Sequence, residues 1–250
     1  MRCFKTALII AFALAAGGCA NRPLNGGYGG EPAVAPTASA SASQSQAAAP
    51  ARPQRSDFRP RVNCSARIAP EERVELEMVD TLSARGRHYA ALAQLQKTEQ
   101  RNIEYWLRYG QLQAKTQQLP RARAVFETLV DRCDTGEARH GLGMVMVKQN
   151  ELQRGLAELQ RAARMLPASA AVRNDYGYAL MMAGRHDQAR FELLTALELE
   201  NGSGRARQNL AAAYFLAGDS AGLEHLQQHY HYTDDELNHA RDLANQLRRF

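Results

Sequence analysis

A 34-residue period runs through the second half of this chain and limits its fold more than any single motif does. Segments opening at Gly136, Ala170 and Gly204 align without gaps. Their seventh and eighth places hold Leu142-Gly143, Tyr176-Gly177 and Leu210-Ala211, and their eleventh hold Met146, Leu180 and Tyr214. The twentieth gives Gly155, Ala189 and Leu223, the twenty-seventh Ala162 and Ala196, and Pro167 stands at the thirty-second. At the fifteenth come Asn150, Gly184 and Gly218, residues that adopt φ > 0 and end helices. Small side chains at places eight, twenty and twenty-seven let two antiparallel helices approach closely, while larger apolar ones fill the space between them. One such pair cannot bury both apolar faces, so neighbours must stack, and the period predicts a solenoid.

These places carry a resemblance to the tetratricopeptide-repeat (TPR) family, covering about 71–231. Trp106, Tyr109-Gly110, Ala122, Phe126 and Leu129 match the family's signature in an earlier copy starting near Ile103. Pro120 heads that copy's second helix, where its missing N–H costs little. Gly86, Ala91, Leu95 and Thr98 form a degenerate first copy from about Glu72. Thr233-Asp234-Asp235-Glu236 is an N-cap with an acidic first turn, opening a last helix to about Arg249 with Leu237, Leu243 and Leu247 as its apolar stripe. The resemblance implies an all-α TPR superhelical solenoid of four to five repeats over 61–232, closed by a capping helix over 233–250. Composition agrees: aromatics are 7% against 45% apolar residues, so the core is Ala and Leu, which favours packed helices over a β sandwich.

The N-terminus is built differently. Residues 1–5 are basic, 6–16 continuously apolar, and Gly17-Gly18-Cys19 follows. That run is too short to span ~30 Å of hydrocarbon and has the flanks of a secretion signal. Its ending resembles a bacterial lipobox, with Ala16 where Leu is usual. The likeness implies a lipoprotein signal peptide over 1–18, a diacylglycerol on Cys19 and, with Ala20 following, a place on the periplasmic face of the outer membrane. Ala13-Leu14-Ala15 offers a rival cleavage site that leaves a soluble periplasmic protein. Residues 19–60 are rich in Ala, Ser, Pro and Gly and hold six of the nine prolines, so they read as a disordered tether with a reach of roughly 35 Å. The formal charge is +5; without Arg2 and Lys5 it is about +3, too small and too dispersed for a nucleic-acid binder.

The TPR resemblance also implies a binding surface, the concave groove lined by the first helix of each repeat. Carried onto this chain, its places include Glu137, His140, Met144, Val147 and Lys148, then Asn174, Tyr178, Met181 and Met182, then Arg205, Gln208, Phe215 and Leu216. Such a strip suits an apolar helix or extended peptide, with Asn or Gln pairing its backbone; the same side chains also suit packing between repeats. The carboxylate clamp of chaperone-binding TPR domains is missing at its usual places, which argues against an acidic C-terminal peptide. Cys64 and Cys133 fall at one end of the helical layer, where they either form a disulfide in an oxidising compartment or remain two thiols. His225 and His229 have the i,i+4 spacing that can hold a metal, but without HExxH or a carboxylate between them. With no phosphate loop, nucleophile elbow or Cys/His pattern, the sequence points to no enzyme, cofactor, metal or small-molecule substrate.

A narrower resemblance lies in Arg207-Gln208-Asn209-Leu210-Ala211 with Tyr214 and Gly218, and in Asn174-Asp175-Tyr176-Gly177 with Gly184-Arg185-His186. These runs are similar to the last repeats of TadD-type TPR lipoproteins of Flp (tight-adherence, Tad) pilus assembly. The likeness implies a non-catalytic, pilotin-like scaffold that binds the outer-membrane secretin or another part of the pilus apparatus. Another envelope TPR adaptor, serving outer-membrane protein assembly or peptidoglycan machinery, fits the same architecture.

Overall fold

The structure is a computed structural model that describes residues 58, 60–65, 67–98 and 101–249. The expected signal peptide, Cys19 and nearly all of the expected tether lie outside the described residues. Those described form eleven α-helices and no strand: α1 Pro70–Ala84, α2 His88–Leu95, α3 Ile103–Lys115, α4 Leu119–Cys133, α5 Gly136–Lys148, α6 Leu152–Met165, α7 Ala170–Met182, α8 His186–Leu199, α9 Arg205–Ala217, α10 Ser220–Tyr230 and α11 Asp234–Leu247. They stack as five A/B helix pairs followed by α11, in a TPR solenoid.

One turn recurs in all five pairs. The residue at the fifteenth place is left-handed each time, with φ of 75° at Gly86, 64° at Gln117, 62° at Asn150, 71° at Gly184 and 70° at Gly218. The next residue's N–H then reaches back five residues to the A helix: Arg87 to Leu82, Gln118 to Gln113, Glu151 to Met146, Arg185 to Leu180 and Asp219 to Tyr214, at 2.8–3.1 Å. This closure satisfies a carbonyl that the helix end would leave unpaired and aims the B helix back along its partner. Most A helices start on a side-chain cap: Asn102, Thr135, Ser169 and Thr233 each accept the N–H three residues on.

The pairs close through their small residues. A Cβ on Gly143 would meet the carbonyl oxygen of Gly155 at 2.9 Å, and one on Gly155 would meet that of Gly143 at 2.8 Å. In repeat four, a Cβ on Gly177 would stand 2.6 Å from Leu193 Cγ. Around these contacts the core divides into two clusters meeting within α5, where Met146 belongs to the N-terminal one and Val147 to the C-terminal one.

Both ends of the stack are held by special devices. At the N-terminal end, Phe58 and residues 60–64 form a strap against α3. Asn63 makes a parallel bridge to Asn102, the Trp106 indole N–H donates to the Arg61 carbonyl at 3.2 Å, and Cys64 is joined to Cys133 by a disulfide. Pro60 is buried, while Phe58, Val62 and Ile68 are half-buried against the core. Ordering such a segment costs about 1–2 kcal/mol per residue, so this modest burial is marginal without the crosslink.

At the C-terminal end α11 packs directly on α9, far more extensively than one A helix meets the next. Its fully buried residues are Ala240 and Ala244, beside Leu237 at 8% exposure, so the stripe seating it is smaller and closer-fitting than its leucines imply. Arg207 is the clasp. Its guanidinium forks onto Glu236 (2.8 and 3.1 Å), donates to the carbonyls of Gly202, Tyr230 and His231, and lies 4.0 Å over the Tyr232 ring. Tyr232 returns a hydrogen bond to the Arg207 carbonyl, and burial pushes its phenol pKa upward. The Arg207 bonds hold the Glu236 carboxyl down at about 2.

Two outcomes follow from these ends. Replacing Cys64 and Cys133 by Ser reopens a 69-residue loop and should lower the unfolding free energy by roughly 2–4 kcal/mol in chemical denaturation; a change within error contradicts the marginal strap. Because Glu236 is depressed from 4.5 to about 2, its contribution is complete above 4.5 and is lost as pH falls towards 2. Amide exchange of α11 should therefore accelerate in that window, and Glu236→Gln should remove the pH dependence; an unchanged profile in the variant contradicts the clasp.

Candidate protein-binding groove

The A helices α3, α5, α7 and α9 lie side by side, and their inward faces form one surface. Charges on these helices act on one another. Burial is the main cause of a lowered Lys115 pKa, and the next is Arg205, with Lys148 acting in the same direction and Asp80 opposing them. Arg205 opens α9, three repeats beyond α3, and its charge still acts on Lys115. Lys115 remains exposed, yet flanking protein removes part of its hydration; its ammonium donates to Ser83 Oγ at 2.8 Å. Lys148 and Arg205 are also exposed. Asp80 is already bound by Arg108 through both oxygens, so it offers little compensation to this basic cluster.

Polar side chains cross-link the same face towards the C-terminal end. His140 Nε2 lies 2.8 Å from Asp175 Oδ2, the Asn174 amide donates to Asp175 Oδ1 at 3.1 Å, and Asn209 donates to Asn174 Oδ1 at 2.8 Å. This chain ties α5 to α7 and α7 to α9. It also fixes Asn174, 7% exposed, with its carbonyl and amide both engaged inside the protein.

The structure therefore sorts the expected groove residues into two sets. Val147 (8% exposed), Met181 (2%) and Asn174 belong to the core and are not available to a ligand, contrary to the sequence-based expectation. The cause for Met181 is close packing of α7 on α9, which presents Ala211, Ala212 and Ala213 fully buried. Met144, Tyr178, Met182, Phe215 and Leu216 are half-buried and pack on the core while keeping one side open, and Glu137 and Gln208 are exposed. Phe215 is the most covered by α11: Arg241 stands 5.3 Å from its ring centroid, and Arg248 donates to its carbonyl. The usable strip is Met144, Tyr178, Met182 and Leu216, with His140 and Gln208 beside it. Lys115 is the residue sequence reasoning missed; its signal was a shared register with Lys148, both at the thirteenth place.

Elsewhere, His225 and His229 stack their rings with centroids 4.1 Å apart on the exposed side of α10, a parallel arrangement that does not converge ring nitrogens on one point. Among the described residues no group of three metal-binding side chains occurs, and no helix is long and apolar enough to cross a membrane.

Comparison with known proteins agrees with this architecture. Residues 140–206 match a tetratricopeptide-repeat family model. A TPR repeat-containing protein of Pseudomonas aeruginosa is 34% identical over 163 residues, covering 65% of this chain and 66% of that protein, so the chain spans just under two thirds of that relative. The crystal structure of a thermophilic TPR protein from Thermus thermophilus superposes with a TM-score of 0.55 at 23% identity, over 70% of this chain and 98% of that one. The last likeness concerns the fold alone.

The cross-links within the groove wall generate a stability prediction. Asn174→Ala leaves Asn209 and Asp175 each short of a partner and should cost about 1–3 kcal/mol. Thermal unfolding checks it, with Gln208→Ala as the exposed control; equal midpoints for the two variants would contradict the structural role given to Asn174.

Proposed function

We propose that this TPR solenoid is a non-catalytic, lipid-anchored scaffold of Flp/Tad pilus assembly, acting as a pilotin-like partner of the outer-membrane secretin. TPR folds generally serve as protein-interaction scaffolds, and the chemistry of the curved face supports that use here. The observation that carries the reading is a half-buried strip of Met144, Tyr178 and Met182 on the A-helix face, with the exposed cations Lys115, Lys148 and Arg205 on helices of the same set. Burying such a strip gains roughly 25 cal/mol per Å² of apolar surface removed from water, and methionines adapt their shape to a partner. The cations favour a segment that carries carboxylates beside its apolar side chains. This revises the preference inferred from the missing clamp, because these cations stand on three different repeats rather than at the clamp's usual places.

The pilus assignment rests on the likeness of residues 174–186 and 207–218 to TadD-type repeats. Within that likeness Arg207 has a structural task in seating α11 and Asn209 one in bonding Asn174, while Gln208 faces solvent. Cys19 supplies the membrane attachment in this reading, and the low-complexity segment that follows it supplies reach.

Two measurements test the proposal. Tyr178→Ala with Met182→Ala should fold normally yet reduce secretin recovery from solubilised membranes by tenfold or more, on the order of 1.4 kcal/mol; full recovery by a folded variant counts against the groove. Cys19→Ser should leave the body folded while removing it from the outer membrane and lowering secretin assembly. Normal secretin rings in that strain, or capture of peptidoglycan or barrel-assembly proteins in place of secretin, would favour the general envelope adaptor.

A further inference from the structure

The strap lies where the solenoid is thinnest. α2 has 8 residues, whereas the B helices α4, α6 and α8 have 15, 14 and 14. A full-length B helix covers the side of the next A helix, and α2 is too short to do so for α3. Phe58 and residues 60–64 run there instead, and the side chains they cover are aromatic. Phe58 lies 6.1 Å from both Trp106 and Tyr109, Tyr105 packs edge-on to Trp106 at 5.0 Å, and Arg121 stands over Phe58 at 5.1 Å. The disulfide holding this cover closed is accessible, since Cys64 is exposed and Cys133 half-buried.

We propose that the Cys64–Cys133 disulfide is a redox latch whose reduction releases the strap from α3 while the helices remain folded. The exchange needs a dithiol. One thiolate attacks a sulfur of the pair, the other cysteine leaves as a thiolate and takes up a proton, and the second thiol of the reductant resolves the mixed disulfide. The protein gains two thiols and the reductant becomes a disulfide. After that step the strap is held by non-covalent contacts alone, among them the indole hydrogen bond to Arg61 and the bridge at Asn63, against an ordering cost of about 1–2 kcal/mol per residue. The surrounding helices lose none of their turns, caps or close contacts, because no A/B pair depends on Cys64.

Release has two consequences. It uncovers Trp106, Tyr105 and Tyr109, and it moves the point where the N-terminal segment leaves the body from Phe58 to Pro70. On the reading that Cys19 is lipid-anchored, the second adds roughly a dozen residues to a tether of about forty, raising its r.m.s. reach from roughly 35 Å to about 40 Å. The latch then sets how far the groove stands from the membrane. Its test does not depend on that anchor, which Cys19→Ser localisation examines separately.

The chain contains one tryptophan, Trp106, so its emission reports the strap directly. The experiment compares the full-length protein and its Cys64→Ser/Cys133→Ser variant, each with and without dithiothreitol. Reduction should shift the wild-type emission to the red and raise acrylamide quenching several-fold, with helicity by circular dichroism unchanged. Oxidised glutathione should reverse both changes. The variant should show the released emission in either condition, which also separates the latch from any effect of Cys3 or Cys19. Unchanged emission after thiol titration proves complete reduction would overturn the proposal. So would a parallel loss of helicity, because the crosslink would then maintain the whole fold rather than a movable strap.

Discussion

Between α5 and α6 the two backbones approach until a methyl group on Gly143 would stand 2.9 Å from the Gly155 carbonyl oxygen. That spacing is the constraint on which the rest depends. It lets Leu159 reach across one pair and Leu193 across the next, and it leaves each pair with apolar faces that only another pair can cover. The left-handed residue at the end of every A helix serves the same end, because its five-residue closure returns the B helix at the angle the close contact needs. Stacking then sets the A helices on one face, where the charge of Arg205 acts on Lys115 from three repeats away. The groove's charge is a consequence of helix spacing, not of any local motif.

A stack of this kind has open ends, and the chain treats its two ends differently. At the C-terminal end α11 is seated by small residues and clasped by one arginine bound to a carboxylate, three carbonyls and an aromatic ring. The N-terminal end lacks half a B helix and substitutes a covalently held strap. The outer surface of that first repeat still shows Val74, Met78 and Tyr89 at 66%, 54% and 75% exposure. Stability is thus unevenly distributed, with the polar cross-links His140–Asp175–Asn174–Asn209 reinforcing the middle of the groove wall.

Much of this was legible in the sequence because period and packing are the same information. The small residues at place eight, the turn formers at place fifteen, the cap Thr233 and the starts of α5, α7 and α9 follow directly from residue type and spacing. Gln117 did not announce its turn, since glutamine carries no preference for positive φ; its register alone placed it opposite Asn150 and Gly184. The groove was less legible. Periodicity says which way a side chain leaves its helix, but not how closely the next helix lies, so Val147, Met181 and Asn174 read as surface and are core. Arg207 carried a family likeness in the sequence, yet its partner Glu236 lies 29 residues on, beyond any local pattern. Lys115, Lys148 and Arg205 stand on three different repeats, and only their stacking puts them on one set of helices.

The central claim is that partners are held on the curved inner face rather than on the outer one. Site-directed photocrosslinking tests it most directly, with a benzophenone side chain placed at exposed Gln208 in the groove or at Phe191, 68% exposed on the outer B helix α8. In intact envelopes the account predicts a discrete adduct containing a pilus secretin from position 208 and none from position 191. An adduct from position 191 with none from position 208 would contradict it.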